Sequence, residues 1–276
     1  MSKIGFVIPT YNRSQNLALV LRALSVQAGV TKELQVVVAD DGSLDYGATS
    51  NTVKGFSGLA VRYLWRPHDG YGVSWMRNRG ARLLDPDTTH VWFVDSDVLL
   101  NPGALAHGYE LVDKYPQGVV ICGKYDWLPP MVITADDVVH HWDKLVGAAL
   151  PPKQVDYTPN LLGNDPRFSG RPELWNCSAL VEQFRGGTLS GNLIVPMALM
   201  NETGGFDEAI KGQGQDCEFG YHLQAAGARA VFCSHIIGYH VSHEMDIKWK
   251  TASVRETIRY IHKKYGIPLD EEKLPQ

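Results

Sequence analysis

No apolar stretch in this sequence approaches the roughly 20 residues that a helix needs to cross a bilayer, so a helical membrane protein is not expected. Cysteine is scarce. Cys122, Cys177, Cys217 and Cys233 form no CxxC pair, so a zinc site is not expected and the thiols are read as reduced. Positive charge is in deficit: 26 Lys and Arg stand against 30 Asp and Glu, a net charge of −4. That excludes the global basic field by which a protein gathers nucleic acid, although Arg77, Arg79 and Arg82 leave room for a local patch. Internal repeats and low-complexity tracts are missing too. The opening MSKIGFVIPTYNR has too short an apolar core for a signal peptide, so a cytoplasmic location is expected.

What is present is ordinary in bulk and informative in order. With 276 residues, 44% hydrophobic and 20% charged, the chain suits one large α/β domain or two small ones. Short apolar runs at 4–9, 34–40, 61–66, 89–95 and 119–125 read as buried strands. Between them lie helical patterns at 13–28, at 74–84 and from about Pro102. This β-α alternation predicts a mostly parallel sheet flanked by helices, with ligands beyond the carboxyl ends of its strands. Polar clusters stand at those ends: Thr10-Tyr11-Asn12, Asp40-Asp41 and Asp95-Ser96-Asp97. From 126 to 185 the pattern loosens around paired prolines and scattered tryptophans; it returns in LSGNLIVP, GQGQDCEFGYHL and ARAVFCSHIIGYH, and a basic helix is expected near 250–264.

Each cluster admits more than one role. Residues i and i+2 of an extended segment point the same way, so Asp95 and Asp97 could converge on a hard cation, Mn²⁺ or Mg²⁺, or simply cap a turn. Asp40 and Asp41 could form a turn with Gly42, or accept from the N–H of a nucleobase. Tyr11 offers a face for stacking or is a half-buried loop aromatic. Arg77 and Arg79 could fork onto a diphosphate or be solvated helix charge. Asp216 and Glu218 open a helix, where acidic groups complement the dipole or act on a proton. His240 and His243 follow a strand and are candidate ligands among ten histidines.

Taken in order, IPTYNR, VADDGS, RNRGA and FVDSD resemble the family 2 glycosyltransferases of the GT-A fold. LSGNL and GGFDEAIKGQGQDCEFGYHLQAAG add a likeness to the catalytic motif of chondroitin-type polymerases, β-1,4-galactosyltransferases and polypeptide N-acetylgalactosaminyltransferases. The resemblance spans 4–125 and 186–243. It implies a nucleotide-sugar-binding half (1–125), an acceptor-binding and catalytic half of the same domain (126–250), and a C-terminal helix and tail (251–276). Pro9, Thr10 and Tyr11 would line the nucleotide pocket, Asp41 or else Asp40 would meet uracil, and Arg77 the diphosphate. Asp97 would bind the metal with Asp95, while Ser96 sits near the ribose. Gly191 and Asn192 would lie under the donor sugar or the acceptor, and Asp216 would be the general base. His240 would complete the metal set, with His243 as the alternative.

The implied reaction is inverting, metal-dependent transfer from a UDP-sugar to an acceptor hydroxyl. Trp127, Trp142 and Trp175 are expected on the acceptor side. Two departures stand out: Gln215 replaces the usual Glu before Asp216, and KGQGQD lacks the usual Trp. Two rival readings are a catalytically dead nucleotide- or carbohydrate-binding module and a sugar nucleotidyltransferase. Intact Asp95, Asp97 and Asp216 weigh against the first, and the lack of a Gly-rich loop after the first strand weighs against the second.

Overall fold

The computed structural model describes residues 2–27, 34–45, 47–115, 117–150, 174–176, 189–244, 247–269 and 271–274. The first half alternates as the pattern predicts: β1 (Ile4–Thr10), α1 (Ser14–Ser25), β2 (Gln35–Asp40), α2 (Ala48–Gly55), β3 (Ala60–Trp65), α3 (Val73–Arg82) and β4 (His90–Val94). β1, β2 and β4 are buried throughout, as expected of strands covered on both faces. β5 (Val98–Leu100), α4 (Ala104–Lys114), β6 (Val119–Trp127), α5 (Ala135–His140), α6 (Trp142–Ala148) and β7 (Leu174–Asn176) follow. The chain continues through β8 (Asn192–Pro196), α7 (Met197–Thr203), α8 (Gln215–Ala225), β9 (Arg229–His240) and α9 (Ile247–Tyr265).

One sheet runs in the order β3-β2-β1-β4-β8-β6-β9-β5, with β7 also on β9. The parallel expectation holds from β3 to β4 and for β6 with β9. Elsewhere it is corrected: β8 runs antiparallel to β4 and β6, and β9 antiparallel to β5 and β7. The cause is where β8 enters. Asn192 pairs with Val94 at the carboxyl end of β4, so the strand can only run back. This reversal brings Gly191 to the edge where the polar clusters lie. The boundary expected at 125 falls inside β6, so both halves share the sheet.

Apolar clusters cover both faces. α3 packs tightly on β1, since a Cβ on Gly80 would come within 2.5 Å of a Val7 methyl. Close packing there carries Arg77 down to the sheet. Among the described residues, no helix is long and apolar enough to cross a membrane.

α9 begins at Ile247, earlier than the sequence pattern suggested, and it clasps the start of α8. Ser253 accepts from the Gln213 N–H, and Thr257 packs on Gly214. Glu218, with 0% exposure, accepts from Lys264 Nζ at 2.8 Å and from the Tyr265 hydroxyl at 2.7 Å. Glu218 is thus a structural anchor. Lys264→Met would leave that carboxylate buried with only Tyr265 as a donor. We expect a loss of about 2 kcal/mol, the cost of an under-satisfied buried group, read as a lower urea midpoint; an unchanged midpoint would remove Glu218 from the clasp.

Candidate active site

The carboxyl ends of β1 and β2 are laced together. Asn12 adopts φ 52°, its backbone N–H donates to Ser43 Oγ at 2.8 Å, and its Oδ1 accepts from the Leu44 N–H at 2.6 Å. Asp40 accepts from the Ser43 N–H and hydroxyl on one oxygen and from the Tyr63 hydroxyl on the other. Its work is therefore the turn. Asp41 meets Arg66 Nε at 2.6 Å and the Gly72 N–H at 3.0 Å, so it fastens the loop after β3. Tyr11 stacks on His68, with centroids 4.2 Å apart and planes 15° from parallel. Pro9 and Thr10 are buried beside them, and the Thr10 hydroxyl finds no partner among the described residues.

At the end of β4 the D-x-D segment departs from the extended geometry assumed for it. The strand stops at Val94, and Val98 N–H bonds back to the Asp95 carbonyl at 3.1 Å, closing a turn. The two carboxylates therefore part. Asp95 turns to Arg77, whose Nη2 donates to Oδ1 at 2.6 Å. Asp97 turns to His240 and His243, with Nε2 atoms 3.9 and 3.2 Å from its oxygens. Those three residues offer ligand atoms all within 4.8 Å of one another. Asp95 is outside this trio, and both histidines belong to it. Ser96 between them is buried.

The charge states of Asp97 and His240 follow from their neighbours. Burial works against ionisation of Asp97, but His243, His240 and Arg13 together hold its carboxyl below the ordinary range. Burial holds His240 below the ordinary imidazole value, so its ring is kept neutral, the form that ligates metal. Arg13 Nη1 meets Asp97 Oδ2 at 2.8 Å and Nη2 lies 3.2 Å from His243 Nδ1. The His243 Nδ1 atom also lies 2.8 Å from the Glu244 carbonyl. The two ring nitrogens of His243 thus lie between Arg13 and the Glu244 carbonyl on the Nδ1 side and Asp97 on the Nε2 side.

Arg77 is buried at 1% exposure, so solvated helix charge is excluded. Its Nε and Nη1 have no hydrogen-bond partner among the described residues. Arg79 goes elsewhere, over the Trp75 ring at 5.2 Å. Asp216 is 5% exposed in the first turn of α8 and accepts from the Cys217 N–H at 3.0 Å. Burial pushes its carboxyl above the ordinary range, Arg77 pulls it back, and Asp95 raises it again. A carboxylate of raised proton affinity is suited to take a proton.

Two expected contacts resolve as framework. Asn192 is 1% exposed; its Oδ1 accepts from Trp92 Nε1 at 3.0 Å and its Nδ2 donates to the Lys124 carbonyl at 3.2 Å. Its amide stitches strands together. Trp142 packs edge-on to Tyr239 in the core, whereas Trp127 tilts against His240 at 4.2 Å. The Trp175 side chain, and residues 151–173 and 177–188 of the expected acceptor side, lie outside the described residues.

Sequence reasoning gave no role to Arg13, Tyr71 or Tyr125. Gln213, where the loop lacks its tryptophan, donates to the Tyr71 hydroxyl at 2.8 Å, and that ring lies 5.3 Å from Trp249 of α9. An aromatic pair thus borders this loop from outside it. Tyr125 could have been singled out by the same sign that marked Asp95, a polar group ending a buried strand.

Residues 6–130 match the family model described as Glycosyl transferase family 2. Validoxylamine A glucosyltransferase of Streptomyces hygroscopicus subsp. jinggangensis (strain 5008) is 29% identical over 87% of this chain and 56% of its own length. Chondroitin synthase of Pasteurella multocida (strain Pm70) is 27% identical over 98% of this chain and 29% of its own. The chain thus spans about half or less of these relatives' lengths. Among solved structures, S. aureus TarS 1–349 in complex with UDP-GlcNAc superposes with TM-score 0.67 at 20% identity, over 98% of this chain and 68% of that one. Over residues 6–130 the chain is similar to glycosyl transferase family 2 domains, and its fold is the GT-A fold of the solved structures it superposes on.

Proposed function

We propose that this protein is an inverting, metal-dependent glycosyltransferase that moves a sugar from a UDP-sugar to a carbohydrate hydroxyl. The observation that carries the reading is Arg77: a guanidinium at 1% exposure whose Nε and Nη1 find no hydrogen-bond partner among the described residues. Burying a cation with idle donors costs stability and is relieved when an anion with several oxygens arrives. The complex of TarS with UDP-GlcNAc supports a UDP-sugar as that anion, and the relatives' names support a sugar-type acceptor.

Arg77 would fork onto the diphosphate, and Pro9, Thr10, Tyr11 and Ser96 would line the nucleoside. Asp41, with lone pairs left beyond Arg66 and Gly72, would accept from uracil. Asp216 would take the acceptor's hydroxyl proton as its oxygen bonds to the anomeric carbon. The bond from that carbon to the diphosphate breaks, and the electron pair leaves with UDP. Attack from the face opposite the leaving group inverts the centre.

One carboxylate and two imidazoles suit Mn²⁺ better than Mg²⁺, which prefers an all-oxygen shell. Mn²⁺ held by Asp97, His240 and His243 would supply Lewis-acid stabilisation of the departing diphosphate. The test is a donor screen: UDP-, GDP- and dTDP-sugars with Mn²⁺ or chelator, reading released nucleoside diphosphate. Metal-dependent release from a UDP-sugar is expected. Binding without any release would favour the inactive module, and no binding would overturn the reading. Arg77→Met should weaken UDP binding at least 10-fold, as expected when charge-assisted bonds are lost. Full UDP affinity in that variant, measured by calorimetry, would remove Arg77 from the diphosphate site.

A further inference from the structure

We propose that the Tyr125 hydroxyl selects the donor, by hydrogen-bonding a hydroxyl of the transferred sugar that in turn donates to Asp95. The inference rests on the UDP-sugar reading above. Tyr125 lies near the carboxyl end of β6 and is 4% exposed. Its hydroxyl has no hydrogen-bond partner among the described residues. Phenylalanine would fill the same space without burying an unsatisfied oxygen, so among the described residues the hydroxyl costs stability with no bond in return.

Its surroundings define what would satisfy it. A Cβ on Gly191 would stand 2.1 Å from the Tyr125 oxygen and 2.5 Å from Asp95 Oδ2. Both oxygens therefore crowd the same glycine and lie within reach of one bridging group, yet they do not bond each other. Asp95 Oδ1 is already taken by Arg77, which leaves Oδ2 for a ligand. Burial, with Asp95 and Asp97, holds the phenol well above its ordinary range, so it stays protonated and donates. A group fitting both must accept from Tyr125 and donate to Asp95. A hydroxyl does both. A phosphate oxygen would face Asp95 without a proton, and an ammonium could not accept from the phenol.

Position assigns that hydroxyl to the sugar. Asp41 and Tyr11, the uracil side, follow β2 and β1, whereas Tyr125 lies across β4 and β8 on β6. Arg77, bonded to Asp95, stands between them. A ligand whose diphosphate meets Arg77 and whose base lies toward β2 directs its transferred sugar toward β6.

The test is calorimetric titration of wild type and Tyr125→Phe with UDP, UDP-glucose and UDP-N-acetylglucosamine in Mn²⁺, plus melting of the unliganded proteins. UDP affinity should not change, while affinity for the preferred UDP-sugar falls about 5- to 10-fold, one neutral hydrogen bond. The unliganded variant should melt about 2–4 °C higher. Unchanged UDP-sugar affinity overturns the proposal, as does an equal loss for UDP, which would place the contact on the ribose or the fold. Wild type that binds UDP but gains nothing from the sugar also overturns it. Failure of wild type to bind any of the three would instead overturn the UDP-sugar reading itself.

Discussion

Asp216→Asn is expected to reduce sugar transfer by about 10²- to 10⁴-fold, the span typical of a lost general base. Asparagine keeps the shape and an oxygen for the Cys217 N–H, so the loop at 212–214 should hold its place and UDP binding should persist. Two further readouts follow from the raised proton affinity of Asp216. Transfer by the wild type should fall as pH drops through the raised value, because the base must be ionised. The stability effect has the opposite sense. A carboxyl whose folded value lies above its unfolded one binds more protons folded than unfolded, so it disfavours the fold increasingly as pH rises through that interval. Above the interval the penalty is constant. Asp216→Asn should therefore melt higher than wild type at neutral pH, with the difference vanishing toward the ordinary value of 3.8. Transfer and UDP binding lost in parallel would show that Asp216 serves the nucleotide rather than the acceptor.

Asp97→Asn should remove metal dependence. Its carboxylate is the one anionic member of the trio, and among the described residues no second carboxylate joins it, because the turn at 95–98 sends Asp95 to Arg77. Loss of an outer partner of a metal ligand typically costs 10- to 100-fold in metal affinity, so loss of the ligand itself should exceed about 100-fold. We expect Mn²⁺ to tighten UDP binding by wild type and to leave the variant unaffected. Arg13 bounds the alternative. It already neutralises Asp97, at 2.8 Å, so a trio that needs no metal would depend on that ion pair instead. Persistence of the Mn²⁺ effect in Asp97→Asn would take Asp97 out of the ligand set.

How much of this was legible depended on where the information lay in the chain. Buried parallel strands announce themselves as unbroken apolar runs, so β1, β2 and β4 were readable almost to the residue. Polar groups at their ends marked the site's edge. The direction of β8 was not readable, because reversal depends on where a strand enters a sheet and not on its own pattern. Nor was the parting of Asp95 from Asp97. An i, i+2 pair shares a face only while the backbone stays extended, and the hydrogen bond that ends the extension lies after the motif. Asn192 and Asp40 look like ligand groups in sequence because their chemistry is polar. The structure spends them on strands and on a turn. Arg77 shows the converse: its burial, invisible in a basic helix segment, comes from the close approach of Gly80 to β1.

The clasp of α9 on the start of α8 has a consequence for the order in which activity appears during synthesis. A nascent chain that ends at residue 125 holds Asp95, Asp97 and Arg77 but neither His240 nor His243. It also lacks β8, the strand that joins β4 to β6. Domains fold as they leave the ribosome, amino terminus first. The strands β1 to β4 can therefore condense early, while the loop before Asp216 is steadied by Ser253 and Thr257 only after α9 has been made. On the proposed function, half-made chains would carry Arg77 yet lack both the full trio and Asp216, so they could not transfer sugar.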